Sequence, residues 1–400
     1  MARKCAKCGV VSEIEEALLP IGDSYHCDKI FYCPACSKKR STQLGESYLI
    51  ACVMALACGL VWVMARPQNE FAWLVFQGGL FTCFIAVLAV PHELGHVLAA
   101  FAAKARVFQV TIGLGRVLYT RDFWGVEWKF CAIPVCGFTS AGFNNRKFYR
   151  LRSFLISLGG PLANFFLMVA AVVLLFHISS PWLLAVIRAF IAANIFELGH
   201  NLLPRKVNFA GTLAASDGLT LLKASFMSVS EINKEIEGYY IWQGCHHSMK
   251  CRFEDAKRSY EEGLTQFPDS DALQSGMGRI LLELGNYADA RNIFVQLKKN
   301  TNFGPSIVIH LLNEIATADI MMGTEQLLNE ADDFSRTACE KMPWRPEFKG
   351  TRGLVLAKKG HIEEGLSLLR QALNESEDFS HKAIYASYIA EYENKKSNAV

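Results

Sequence analysis

Strong charge bias is missing from this chain. Its 41 Lys and Arg are nearly matched by 38 Asp and Glu, for a formal net charge of +3. That balance is too mild to argue for a nucleic-acid partner, and none is expected. A disulfide framework is missing too. There are 13 cysteines, but four form two C-x-x-C pairs near the start. Most of the others stand singly in apolar stretches, where cysteine packs as a small hydrophobe. This usage fits a reducing compartment better than a secreted scaffold. The first 46 residues are polar and cysteine-bearing, so they do not read as a cleavable leader.

Charge is scarcest between Tyr48 and Leu203. No Asp, Glu, Lys or Arg occurs from Phe71 to His92, or from Ser153 to Ile187. Four apolar segments result: Tyr48 to Ala65, Phe71 to Ala103, Arg152 to Ile178 and Pro181 to Leu203. Each is about long enough to cross hydrocarbon. Lys38, Lys39 and Arg40 precede the first, and Lys104 and Arg106 follow the second. Arg146, Lys147, Arg150 and Arg152 lead into the third, and Arg205 and Lys206 follow the fourth. The loops of the opposite side carry only Arg66. This asymmetry predicts a multi-pass protein in the lipid bilayer with both termini in the cytoplasm.

The second segment contains His92-Glu93-Leu94-Gly95-His96, an H-E-x-x-H motif. Residues four apart share one face of a helix, so His92 and His96 can aim two imidazoles at one metal ion. Glu93 is then placed to take a proton from a water that the metal activates. The motif is short and also occurs by chance on exposed helices. Here its flanks are apolar, and a buried Glu between two His without a metal would be a liability.

Cys5-Ala6-Lys7-Cys8 and Cys33-Pro34-Ala35-Cys36 can supply four thiolates to a structural zinc, with His26 and Cys27 as spare candidates. So small a segment has no core of its own, and a metal would organise it. Between the second and third apolar segments, Val107 to Phe143 alternates in hydropathy and is broken at Gly113-Leu114-Gly115 and at Asp122 to Gly125. This predicts short β-strands at the cytoplasmic interface or dipping in beside the helices. From Ser228 onward the chain is helical and repetitive. Ala256 and Tyr260 recur as Ala290 and Phe294, and Ala331 and Ala338 as Gly365 and Ala372. That spacing is the tetratricopeptide period, with a slip in the middle, and a groove in such a solenoid binds proteins or peptides.

Taken with its neighbours, the motif resembles the site-2 protease family of intramembrane zinc metalloproteases. His92 to His96 is similar to the family's zinc motif. Gly159-Gly160-Pro161-Leu162-Ala163-Asn164 resembles its Gly-Pro-x-x-Asn motif, and Ile133 to Phe138 the strand entering that span. Asn201-Leu202-Leu203-Pro204 followed by Asp217-Gly218 resembles its Asn-x-x-Pro…Asp-Gly motif, with Arg205 to Ser216 as an unusually long insertion. The resemblance covers about residues 70 to 225 and neither end.

It implies a catalytic zinc held by His92, His96 and Asp217, with Glu93 as general base and Asn164 near the reacting carbonyl. Glu197 and His200 are rival third ligands, and Asn194 reads as an interhelical hydrogen bonder. Gly218 is expected to permit a sharp turn and close approach to the second span. The insertion is expected to leave the membrane and return.

The expected architecture is mainly α. It comprises a zinc ribbon over 1–42, a four-span membrane helix bundle with a small β insertion over 47–227, and an α-solenoid over 228–400. The expected activity is regulated intramembrane proteolysis of transmembrane protein substrates, with two zinc ions per chain, one catalytic and one structural. The rival readings are a catalytically inactive membrane scaffold that gathers partners through its soluble ends, and a zinc carrier. A carrier needs several polar sites along a path, and the sequence offers one cluster.

Overall fold

The computed structural model describes residues 3–4, 11–12, 19–20, 31–32, 34–209, 212–300, 302–376 and 379–397. They belong to two compact units: residues 37–242, and residues 243–400 together with 1–36. The N-terminal segment contributes two short antiparallel pairs, β1 (Arg3–Lys4) with β2 (Val11–Ser12) and β3 (Leu19–Pro20) with β4 (Phe31–Tyr32). The expected ribbon ligands Cys5, Cys8 and Cys33, and the side chain of Cys36, lie outside the described residues.

Unit 37–242 is built on four long helices: α1 (Pro34–Ala65), α2 (Glu70–Ala102), α3 (Tyr149–Leu175) and α4 (Pro181–Leu202). The Glu46–Ala65 part of α1 and the other three helices are long and apolar enough to cross a membrane. Local chemistry sets their ends. The Asn69 side chain accepts hydrogen bonds from the backbone N–H groups of Phe71 and Ala72 at 2.9 and 3.2 Å, which starts α2. At its other end Arg152 donates to the carbonyls of Ala103 and Lys104 at 2.8 and 2.9 Å. The same guanidinium lies 3.8 Å over the Phe143 ring. One side chain thus closes α2 and ties it to the start of α3.

In a bilayer, helices associate through close van der Waals packing, so small residues mark the crossings. Gly59 on α1 meets the backbone of Phe76 on α2, and Gly79 on α2 meets that of Leu56 on α1. Gly95 on α2 and Gly159 on α3 face each other, and a Cβ on either would run into the other's carbonyl oxygen. Gly159→Val should therefore push the two helices apart and cost about 1–3 kcal/mol. Thermal melting of the purified protein checks this, with Gly78→Ala as control, because a Cβ on Gly78 meets open space. Equal losses in the two variants would remove the crossing from the account.

Between α2 and α3 run β5 (Arg106–Phe123) and β6 (Val126–Gly142). They turn at Trp124-Gly125, both at positive φ (55° and 71°), a two-residue hairpin. Residues 109–112 pair on one side with 137–140 and on the other with 127–130, while 117–123 pair with 126–131. The expected short strands are thus two long ones that fold back on themselves, with the break at Gly113 and Gly115 (φ 91° and 85°). Val97 and Ala100 of α2 pack with Val107, Val110, Ile112, Val126 and Trp128, seating the sheet on the end of that helix.

After α4 come the short hairpin β7 (Lys206–Phe209) and β8 (Thr212–Ala215), then α5 (Asp217–Phe226). The first part of α6 (Val229–Met249) completes this unit.

The other unit continues with α7 (Phe253–Gln266), α8 (Asp271–Glu283), α9 (Tyr287–Lys298) and α10 (Pro305–Met322). It ends with α11 (Glu325–Lys341), α12 (Pro346–Lys358), α13 (Ile362–Glu375) and α14 (Phe379–Ser397). The repeat positions are its core: Ala256, Tyr260, Ala290, Phe294, Ala331, Ala338 and Ala372 are all buried. Phe294 packs over Gly278, and Tyr260 over Gly244 and Gly276. The slip in the period has a plain cause. Helices α10 and α11 are 18 and 17 residues long, against 13 and 12 for α8 and α9. The longer pair also carries charge in its core. Asp319 of α10, fully buried, accepts from Arg291 of α9 at 2.5 Å, and Arg291 reaches Glu330 of α11 at 2.5 Å.

Candidate metal centre

His92, Glu93 and His96 lie on α2 just after Pro91, and all three are buried. Proline has no N–H to give the preceding turn, so α2 is locally freed where the motif begins. Four residues of helix bring the two imidazoles together at 4.8 Å between ring centroids, with Nε2 to Nε2 at 3.1 Å. Asp217, the first residue of α5, completes the group. Its carboxylate oxygens lie 3.0 Å from His92 Nε2 and 3.4 Å from His96 Nε2. Among the described residues, these three form the one group of His, Cys, Asp and Glu whose ligand atoms lie within 4.8 Å of one another.

The separations suit zinc. Zinc–nitrogen and zinc–oxygen bonds of ~2.0–2.1 Å in a tetrahedron set neighbouring ligand atoms ~3.3 Å apart. The tautomer of His96 suits it as well. Nδ1 donates to the Ile156 carbonyl at 2.7 Å, so that once the imidazole is neutral its Nε2 lone pair is directed at the group. Gly160 makes the space: a Cβ there would run into His96 Nε2 and stand 2.6 Å from His92 Nε2. Burial pushes the Asp217 carboxyl up, but hydrogen bonds with His92 and His96 and their charge reverse this and hold it below the usual carboxylate range.

The insertion before Asp217 closes on itself. The chain departs at Leu203–Arg205 and returns at Ser216, and these ends are hydrogen-bonded to each other. Ser216 Oγ donates to the Leu203 carbonyl at 2.8 Å and accepts from Arg205 N–H at 3.0 Å. The backbone N–H of Ser216 donates to the Arg205 carbonyl at 2.9 Å. The same Oγ caps α5 by accepting from Leu219 N–H at 3.3 Å. The extra residues include the paired strands β7 and β8, which pinch off as a hairpin. The close approach to α2 is made by Asp217, while Gly218 lies against the end of α4, where a Cβ would run into the Leu202 carbonyl.

The rival ligands are placed elsewhere. Glu197 accepts from Asn201 Nδ2 at 3.0 Å. His200 stacks on Phe196 and contacts Arg205. Asn194 bonds back to the Phe190 carbonyl of its own helix at 2.9 Å, not across to a neighbour. Asn164 on α3 is fully buried, and neither polar atom of its amide has a partner among the described residues. Sequence reasoning missed Thr139, whose Oγ1 donates to Glu93 Oε2 at 2.5 Å. Gly137 lies in the Ile133 to Phe138 strand that the resemblance marked, but its packing against the Glu93 carboxylate was not anticipated. Their placement follows from strand register, which no local pattern announces.

Comparison with known families settles where such a centre belongs. The model of peptidase family M50 matches residues 80–342, the metal group included. The chain belongs to peptidase family M50. Among relatives of this M50 member is the regulator of sigma E protease of Haemophilus influenzae, 30% identical over 147 residues, or 33% of this chain and 32% of that one. The chain spans about a third of the length of the curated relatives it matches. Solved structures with some likeness include a thermophilic TPR protein of Thermus thermophilus. It is 19% identical, with a TM-score of 0.35, over 40% of this chain and 82% of that one. Yeast Tom70 is 12% identical, with a TM-score of 0.33, over 88% of this chain and 60% of that one.

Proposed function

We propose that this chain is an intramembrane zinc metalloprotease that hydrolyses a peptide bond in or near a transmembrane segment of a membrane-protein substrate. One observation carries the reading. Two imidazoles and a carboxylate stand at tetrahedral-edge distances beside a buried glutamate, on a helix fit to cross a membrane. His92, His96 and Asp217 hold the zinc. Zinc so held supplies Lewis acidity toward water and toward a peptide carbonyl.

Glu93 removes the proton from the attacking water and delivers it to the leaving amine nitrogen. Asn164, with its buried and unpartnered amide, donates to the reacting carbonyl oxygen as negative charge develops there. A membrane helix hides its backbone in its own hydrogen bonds, so the substrate unwinds locally, and an edge of the β5–β6 sheet holds it extended. Cys5, Cys8, Cys33 and Cys36 hold a second, structural zinc. The ribbon (1–42) and the repeats (228–400) face the cytoplasm and recruit protein or peptide partners.

The test is metal removal. Purified full-length chain in detergent should cut a single-span reporter whose membrane segment carries a Gly-Ser break. Chelation should stop the cutting, and added zinc should restore it. Cleavage that persists in chelator with no zinc left on the protein would refute the reading.

A further inference from the structure

Strand β6 does more than border the site. Residues 137–142 pair with 106–112, so Gly137 stands opposite Ile112 and Thr139 opposite Val110. Residues two apart share a face of a strand, and here that face is turned to Glu93. Thr139 meets it with a hydroxyl, donating to Oε2 at 2.5 Å. Gly137 meets it with nothing: a Cβ there would run into Glu93 Cγ and stand 2.5 Å from Oε1 and 2.7 Å from Cδ. The carboxylate is thus boxed between a donor and a bare backbone, and the residue is 4% exposed.

We propose that Thr139 is a positioning residue for the reaction, its hydroxyl holding one carboxylate oxygen of Glu93 so that the other faces the water. The inference rests on the protease reading above. A carboxylate offers two oxygens with about four lone-pair sites, so a donor on Oε2 leaves Oε1 free to accept. The bond is of the charge-assisted kind, shorter and stronger than one between neutral groups. What it fixes is the torsion of a side chain that must meet a proton within a few tenths of an ångström, and small misplacements of such groups are costly. The strand that carries Thr139 is also a strand of the sheet to which an extended substrate would add. Substrate docking and the aim of the base are then set by one piece of backbone.

The experiment compares Thr139→Val, which keeps the branched shape and loses the hydroxyl, with Thr139→Ser, which keeps the hydroxyl. Full-length variants are assayed on the Gly-Ser reporter, for zinc per chain, and for affinity toward a peptide hydroxamate, whose hydroxyl hydrogen-bonds to the base. Thr139→Val should lose about 10–100-fold in kcat, the range typical of groups that orient a metal site from behind. KM and zinc should be unchanged, since the interaction counts only in the transition state. Hydroxamate affinity should fall about tenfold on the same grounds. Thr139→Ser should restore both readouts. Wild-type kcat and hydroxamate affinity in Thr139→Val would overturn the proposal. So would a Ser variant as impaired as Val, or a loss of activity that tracks loss of zinc. A wild type that neither cuts the reporter nor binds the hydroxamate would count against the protease reading itself.

Discussion

Glu93→Gln should leave zinc in place and stop cleavage. The amide has the shape of the carboxylate, and its oxygen can still accept from Thr139. What it cannot do is take a proton from water. General-base catalysis typically contributes 10²–10⁴-fold, and a loss of that size corresponds to about 3–5 kcal/mol of barrier. The ligands His92, His96 and Asp217 are untouched, so zinc per chain should match the wild type. Initial rates on the reporter, set beside zinc measured by mass spectrometry, separate the two effects. A variant within about tenfold of wild-type rate would remove Glu93 from the base role.

Asp217→Ala should lose the catalytic zinc. Two imidazoles alone make a poor site, and catalytic zinc centres take three protein ligands. Glu197→Ala and His200→Ala should retain it, because Glu197 is engaged by Asn201 and His200 by Phe196 and Arg205. The readout is the difference in zinc per chain between each variant and the wild type. Any metal bound elsewhere on the chain cancels in that difference. Full zinc in Asp217→Ala with loss in either of the others would move the third ligand to α4.

These two variants also mark how far the sequence could be read. His92, Glu93 and His96 were legible because helical spacing alone puts the two rings on one face, and the apolar flanks exclude a solvated surface. Asp217 was marked through the resemblance of Asp217-Gly218 to the family's Asp-Gly motif, while the packing of its glycine was not legible. Gly218 clears the Leu202 carbonyl, a contact made by a chain returning through a hairpin. That the insertion would pinch off depends on Ser216 reaching Leu203 and Arg205, a closure invisible in a linear pattern.

Thr139 was illegible for a related reason. A threonine in an alternating strand is ordinary until register decides which group it faces. Asn194 turned out to bond to its own helix, a choice of partner that residue type alone does not announce. The repeat period, by contrast, survived well. Small and aromatic residues at helix crossings are a packing requirement, and only the longer α10 and α11 displaced it.

The reciprocal fit of Gly95 and Gly159 bears on how anything gets in. Along that seam α2 and α3 touch main chain to main chain, and Gly160 lies directly over both ring nitrogens. The side chains that flank this crossing, Ala99 and Ala163, are single methyl groups, too small to swing aside like a door. A peptide arriving from that quarter would have to pry two backbones apart and unseat the Ile156 carbonyl from His96 on the way. At this point the seam is a wall.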